Sequence, residues 1–495
     1  MQKKMYHLRQ PVFRNATAYQ RKYNVKSVQF LSNIEAMPHP KELPLIGTKL
    51  ALLAKGSGSK LHEYIDNRHE HLGPIFYEKL GGNTKLVFIS DPTLMKTLFL
   101  KLEGKYPVHL LPEPWLLYER LYGAKRGLFF MNNEEWLTNR RIVNRHVLKE
   151  GSEKWLEEPI KQTINTFVKK WKIETETHGI FIPELESDLY RLSTDVIVNV
   201  LLGEQCMTPS MHYEQLLKQF SEAVKQIFHT TTSLYALPVS WYQQLNLKPW
   251  RDFKESVDTS LLLARKIVQE MLNKKEKNKG LIWKLCQEQM SDDTITRIVA
   301  DFVIAAGDTT SYTTLWTLLL LSNNDEEKKQ IREREITYVK YVVKEAMRLY
   351  PVAPFLTRIL PQESILGQYI LNEGTPIIAS IYTMGRDNNN FSEASKFMPS
   401  RWCRNDPRNF KLVNHIPSAS LPFALGARSC IGRKIAMLQL TEIISQIVNK
   451  FEFTSVNCNE VNAITSQILI PNQEIKLQLT LRQDLHKNNS DIETM

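Results

Sequence analysis

The sequence predicts a mainly α-helical chain with small β-sheets, and three observations predict it. From about residue 91 to 322 the apolar residues recur with helical period over segments of helical length. Beyond residue 350, prolines and β-branched runs point to short strands and loops. The helical region ends in an unusually long stretch, from about Asp292 to Leu321, with Ser291 placed to cap it.

The elements follow in order. Pro38, Pro40, Pro44 and Gly47 form a stiff junction ahead of the folded body. A helix near 59–72 precedes two short strands, about 75–80 and 85–89, split by Gly81-Gly82-Asn83. Helices are expected near 134–149, 155–172, 183–203, 210–227 and 251–273. The run from Asn273 to Gly280 reads as a solvated charged loop. At 1.5 Å per residue, the 292–321 helix spans roughly 45 Å, enough to cross a domain. Asp301 and Asp308 interrupt its apolar half, so it reads as a core helix and not as a membrane span. A helix at about 431–450, strands near 466–481 and a polar tail complete the chain.

The chain has 495 residues, 42% of them hydrophobic and 24% charged, which suits a folded protein with a large core. Its five cysteines (Cys206, Cys286, Cys403, Cys430 and Cys458) are scattered, odd in number and form no CxxC pair. Neither a disulfide framework nor a zinc site is favoured, and a reducing compartment is the simple reading. A net charge of +11 fits an anionic surface or an acidic protein partner. No nucleic-acid-binding signature accompanies it, so nucleic acid is not an expected partner. The first 34 residues hold seven cations and no acid until Glu35, without an apolar run long enough for an anchor. Residues 1–37 therefore read as a mitochondrial leader, 38–482 as the body and 483–495 as the tail.

The chemical signal is concentrated in Phe423-Ala-Leu-Gly426-Ala-Arg428-Ser-Cys430-Ile-Gly432. Two glycines let the backbone bend tightly and approach a flat cofactor. Cys430 immediately precedes a helical pattern, whose terminal N–H groups favour a thiolate. Arg428 sets a permanent cation two residues away, suited to a carboxylate. Inside the long helix, Ala305-Ala306-Gly307-Asp308-Thr309-Thr310 places an acid beside a threonine in an apolar run. Thr309 can bond a carbonyl one turn back and open the helix locally.

The cysteine segment resembles the haem-binding loop of the cytochrome P450 family, and other segments carry the same resemblance. Glu345-Ala-Met-Arg348 with Leu349-Tyr350-Pro351 is similar to the family's ExxRLxP element, and Phe397-Met-Pro399-Ser-Arg401-Trp402 to its FxPxRW segment. Trp136 and Arg140 match its WxxxR element. The resemblance covers about residues 38–482 and implies the P450 fold, with haem b (iron protoporphyrin IX) between the long central helix and the cysteine loop. It makes Cys430 the axial iron ligand and Trp136, Arg140, Arg358, Phe423 and Arg428 cofactor-binding residues. Asp308 becomes the proton relay and Thr309 the donor or water organiser at the dioxygen site. Glu345, Arg348 and Arg401 become a bracing triad without a chemical step. One departure stands out: Ala306 occupies a position where the family usually has glycine, and its methyl narrows the expected oxygen pocket.

Electrons must come from a partner, because the chain has no flavin or nicotinamide fingerprint. Lys340 and Lys344 share a helix face, and Arg433 and Lys434 follow the cysteine loop. The lysine pair resembles the ferredoxin-docking pair of mitochondrial members. That implies an acidic, adrenodoxin-like [2Fe-2S] ferredoxin with its NADPH-dependent reductase, and peripheral association with the matrix side of the inner membrane. Residues 60–76 and 126–145, with VIAAGDTT and RLYPVAPF, look most like the insect mitochondrial ecdysteroid 2-hydroxylases. An apolar sterol, 2-deoxyecdysone, is then the expected substrate, with Val352 to Leu356, Ala305 and the 107–130 segment as pocket walls. The alternatives are a sister sterol hydroxylase, such as one acting at C22, and a haem-thiolate isomerase or dehydratase. The last needs neither the acid–threonine pair nor a donor patch.

Overall fold

A computed structural model describes residues 31–482, apart from 45, 124–125, 204–210, 235–237, 274–279 and 335. Most of the expected leader, the 274–279 loop, Cys206 and the 483–495 tail lie outside the described residues.

Short helices α1 (Lys49–Ala54) and α2 (Leu61–Leu72) come first, followed by the hairpin strands β2 (Ile75–Glu78) and β3 (Leu86–Ile89) after the edge strand β1 (Ser32–Asn33). Next, α3 (Pro92–Thr97) starts on Asp91, whose carboxylate accepts the N–H groups of Thr93 and Leu94. A π-helical turn, Leu98–Leu102, continues it and delivers Glu103. The helical half then runs α4 (Glu113–Tyr122), α5 (Asn133–Val147), α6 (Glu153–His178), α7 (Leu185–Leu202), α8 (Met211–Ser233), α9 (Val239–Gln244), α10 (Lys248–Asn273) and α11 (Leu281–Gln287).

The long helix is α12 (Asp292–Ser322), and Ser291 Oγ accepts the Thr294 N–H at its start as expected. Asp292 and Asp293 in the first turn complement the helix dipole. Residues on all sides of it are buried, from Ile295 to Leu321, because α7, α10, α14 and α16 surround it. No described helix is long and apolar enough to cross a membrane.

The remaining helices are α13 (Asp325–Glu333), α14 (Ile336–Leu349), α15 (Ile381–Arg386) and α16 (Arg433–Lys450). Strands β4 (Phe355–Ile359), β5 (Ser364–Leu366), β6 (Tyr369–Leu371) and β7 (Pro376–Ser380) complete two sheets. One is four-stranded in the order β2-β3-β7-β4, and the other runs β1-β6-β5. In the larger sheet β3 and β7 are parallel, while β7 and β4 are antiparallel, pairing Arg358 with Ile377. The expected 466–481 strand region resolves differently. Strands β9 (Ala463–Ser466) and β10 (Ile468–Pro471) turn at Gln467, which takes a left-handed φ of 62°, and β11 (Leu477–Leu481) pairs with β8 (Phe451–Ser455).

The main core is helical, and a second core lies beneath the sheets. A third, smaller cluster joins Tyr118 of α4 to Val239, Tyr242, Trp250 and Phe253 of α9 and α10. It ties the segment before α5 to the α9–α10 region.

Candidate functional site

The cysteine loop is shaped by its own backbone. The Cys430 N–H donates to Phe423 O at 2.8 Å, and Ser429 N–H donates to Gly426 O at 3.1 Å. Gly426 takes a φ of 78°, and a Cβ there would stand 2.3 Å from both Glu103 Oε1 and Phe99 O. Glycine is therefore required twice over, by conformation and by space. The loop ends at Gly432, and α16 starts one residue later, so Cys430 sits at a helix N-terminus as the sequence implies.

The Cys430 side chain is exposed, although protein packs closely around its thiol. Burial pushes the thiol up, opposed by the Gly432 N–H, Arg140 and Arg433.

The Glu345, Arg348 and Arg401 triad joins the end of α14 to residues 385–402. Both carboxylate oxygens of Glu345 receive Arg348, at 2.9 and 2.7 Å, and Oε1 also accepts Arg401 Nε at 2.9 Å. Trp402 Nε1 and the Met398 N–H complete its shell. The surplus cationic donors go to the carbonyls of Gly385, Ala394, Lys396, Ser392 and Glu393. All three side chains are fully buried, so the cluster fixes the path of residues 385–402. Trp402 belongs to this shell, a part the sequence reading did not give it.

Three arginines converge at the cysteine loop. Arg140 of α5 donates to Ser429 O at 2.5 Å, and its buried Nε has no partner. Arg358 of β4 pairs with Glu103 at 2.7 Å and donates to His109 and Thr357 O, while its Nη2 is buried and unpartnered. Arg428 stands over the Trp136 ring at 4.3 Å. Burial lowers all three guanidiniums, to about 10 for Arg140 and Arg428. Burial and then Arg358 and Arg428 push His109 down to about 3, so this ring is neutral. Against these three cations the described residues set one carboxylate, Glu103. Buried cations in excess call for an anionic ligand. Glu103 and His109 were not visible as site residues from sequence.

Arg428 corrects one expectation. Its Nε donates to Pro107 O at 2.6 Å, Nη1 to the carbonyls of Leu128 and Phe129, and Nη2 to Met131 O and Asn132. Every nitrogen is engaged, so in this arrangement Arg428 anchors the loop to the 128–132 segment and presents no free donor to a carboxylate.

On α12, Ala305 is exposed in the middle of a buried helix, and Thr309 is half-buried one turn on. Thr309 Oγ1 donates to Ala305 O at 2.7 Å, the bond expected from sequence. The helix nevertheless runs unbroken from Asp292 to Ser322, so the expected local opening is absent. Ala306 packs against the main core. Asp308 is 3% exposed, its Oδ2 has no hydrogen-bond partner, and burial pushes its carboxyl up to about 7. A half-open pocket of about 250 Å³ lies between Gly123, Arg126 and Gly127, α10 and the first half of α12. Its lining includes neither Cys430 nor Thr309, so donor geometry and not cavity size marks the site.

Lys340, Lys344 and Arg433 are exposed. Lys434 differs from expectation: its ammonium pairs with Glu153 at 2.5 Å and donates to Lys149 O at 2.7 Å. It joins α16 to the start of α6 and adds no free charge to a docking patch.

A family model described as Cytochrome P450 matches residues 37–479. The mitochondrial cytochrome P450 315a1 of Drosophila melanogaster is 35% identical over 470 residues, which is 90% of this chain and 89% of that protein. The mitochondrial 1,25-dihydroxyvitamin D(3) 24-hydroxylase of Rattus norvegicus is 28% identical over 466 residues, covering 90% of this chain and 89% of that one. The mitochondrial cholesterol side-chain cleavage enzyme of Ovis aries is 29% identical over 450 residues, with 86% and 85% covered.

Proposed function

The chain belongs to the cytochrome P450 family, and from that premise we propose a mitochondrial steroid hydroxylase that converts 2-deoxyecdysone to ecdysone with electrons from a ferredoxin. The family is one of monooxygenases that use haem b and dioxygen. The residues present suit that cofactor. An exposed cysteine stands at a helix N-terminus, and the two orphaned donors, Arg140 Nε and Arg358 Nη2, fit a dianionic ligand.

In this reading Cys430 would hold the haem iron through its sulfur, and the Phe423 carbonyl and Gly426 shape its loop. Arg140 with Trp136, and Arg358 with His109, would hold its two propionates. Arg428 anchors the loop behind them. Glu345, Arg348 and Arg401 brace residues 385–402 beneath it. When bound, a thiolate-ligated haem supplies dioxygen activation and insertion of one oxygen atom into a C–H bond. Asp308 carries protons inward, and Thr309 orients the hydroxyl or water that receives them. The residues from Val352 to Leu356, with Ala305 and the 107–130 segment, exclude water around an apolar sterol.

The observation that carries the substrate class is the similarity, over nearly the whole chain, to relatives named for vitamin D and cholesterol chemistry. The ecdysteroid and the 2-position rest on the resemblance of residues 60–76 and 126–145 and of the VIAAGDTT and RLYPVAPF stretches. Mitochondrial matrix localisation is supported by the mitochondrial relatives and the acid-free leader. Exposed Leu43, Ile46, Leu50 and Leu53 offer an apolar face for peripheral contact with the inner membrane. Lys340 and Lys344, with Arg433, are the docking charges for an acidic ferredoxin.

Reconstitution with a ferredoxin and its reductase, supplied with 2-deoxyecdysone, tests this. Mass spectrometry is expected to find one new hydroxyl at C2. A hydroxyl at C22 moves the enzyme to the sister activity, and turnover without ferredoxin removes the electron partner.

A further inference from the structure

Asp308 has no direct outlet. Its carboxyl is 3% exposed, one oxygen has no partner, and Thr309 turns its hydroxyl to Ala305 O instead. A group that moves a proton in every turnover must be recharged, so a second acid–base group has to connect it to solvent.

The surrounding helices supply one candidate cluster. Tyr312 follows Asp308 by one turn on α12, is 7% exposed, and donates its hydroxyl to Glu186 Oε1 at 3.0 Å. The same Glu186 oxygen receives Lys225 Nζ of α8 at 3.0 Å. The Glu186 and Lys225 side chains keep 36% and 37% of their surface exposed, so this pair reaches water. Tyr190 of α7 lies between: a Cβ on Gly307 would meet its ring and hydroxyl at 2.8–3.1 Å, and Lys225 stands 5.9 Å from its ring centre. Glycine at 307 is what lets the phenol approach α12 beside Asp308. The charged groups acting on Asp308 are Lys225, which favours the ionised form, and Glu186, which opposes it.

We propose that Glu186, held by Tyr312 and Lys225 at the α7–α8–α12 junction, is the solvent-side carboxylate that recharges Asp308 with protons. It rests on the reading of Asp308 as the inner relay. In the step, protonated Glu186 gives its proton to the Asp308 carboxylate, and Glu186 then takes another from water. No electrons move. Lys225 and Tyr312 both hold the same Glu186 oxygen, at 3.0 Å each, and so fix the carboxylate at this junction. A paired ion is ordinarily a surface bridge of little consequence. Here the bridge lies on the route between a sealed acid and water, which distinguishes its position from that of Lys161 and Glu157 or Lys248 and Asp252, i,i+4 pairs within single helices.

Two measurements on the haem-loaded enzyme test this. The first is an infrared pH titration of the Asp308 carboxyl band, identified by its loss in Asp308→Asn. Glu186→Gln is expected to lower the midpoint and Lys225→Met to raise it, opposite shifts that a purely structural role does not produce. The second is ferredoxin-driven dioxygen consumption, which reports proton uptake whichever substrate is hydroxylated. Glu186→Gln is expected to slow it at least tenfold at pH 8 and to at least double its solvent isotope effect, with Glu186→Asp recovering most of the rate. A wild-type rate and isotope effect in Glu186→Gln, beside a slowed Asp308→Asn, overturns the proposal and leaves the Asp308 reading standing. A wild-type rate in Asp308→Asn overturns both.

Discussion

Glu103 accepts the backbone N–H of Ala427 at 2.6 Å, across 324 residues of sequence. Its other oxygen pairs with Arg358 at 2.7 Å, so one buried carboxylate fixes the cysteine loop and neutralises an arginine of the four-stranded sheet. The π-helical turn at Leu98–Leu102 brings it there. Replacing Glu103 by Ala strands the Arg358 guanidinium and frees the loop. Breaking a buried pair from one side costs about 3–5 kcal/mol. Thermal unfolding of Glu103→Ala is expected to show a loss of that order, with weakened haem retention. Glu103→Gln, which keeps an acceptor for Ala427, is expected to retain more haem.

The Glu345 cluster makes a parallel prediction. Arg401 donates to Glu345 and to two carbonyls, all buried, and lysine cannot reproduce that fork. Arg401→Lys is expected to lower stability by about 2–4 kcal/mol and to reduce the yield of haem-loaded protein. It is expected to leave the pH profile of whatever enzyme loads unchanged, because the triad touches no reacting atom.

Asp308 predicts a pH-dependent stability with a definite sign. Its carboxyl is raised to about 7 in the fold, above the ordinary carboxylate value of the unfolded chain. Between roughly pH 4 and 7 the folded state holds a proton the unfolded state has lost, so stability falls as pH rises and levels off above 7. A shift of this size corresponds to at most about 4 kcal/mol. Asp308→Asn is therefore expected to stabilise the protein at pH 8 more than at pH 5, while losing turnover. An equal effect at both pH values contradicts the burial of the charge.

The docking reading separates Lys434 from the other cations. Charge reversal at Lys340 and Lys344 is expected to raise the KM for ferredoxin at least tenfold, with a weakened salt dependence. Lys434→Ala is expected to leave that KM unchanged, because its charge is already paired with Glu153. Ferredoxin-dependent turnover measured at two ionic strengths checks both.

Much of the site was legible because its chemistry constrains residue type locally. Cys430 with its glycines, Glu345 with Arg348, and Asp308 with Thr309 each sit within a few positions of one another. The long helix was legible from Ser291 and its sustained apolar pattern. What escaped was contact between distant single residues. Glu103, His109 and Glu186 are ordinary letters in sequence, and only the fold sets them beside Ala427, Arg358 and Tyr312. Arg428 and Lys434 were read correctly as cations near the cysteine, but their partners at 107, 128–132 and 153 cannot be seen from spacing. The β9–β10 hairpin was missed because its turn uses Gln467 in a left-handed conformation usually marked by glycine or asparagine.

The carbon monoxide difference spectrum of Cys430→Ser, with haem content measured on the same sample, tests the central assignment most directly. The account predicts loss of the thiolate-type spectrum and of hydroxylation. A thiolate-type spectrum retained in Cys430→Ser contradicts it.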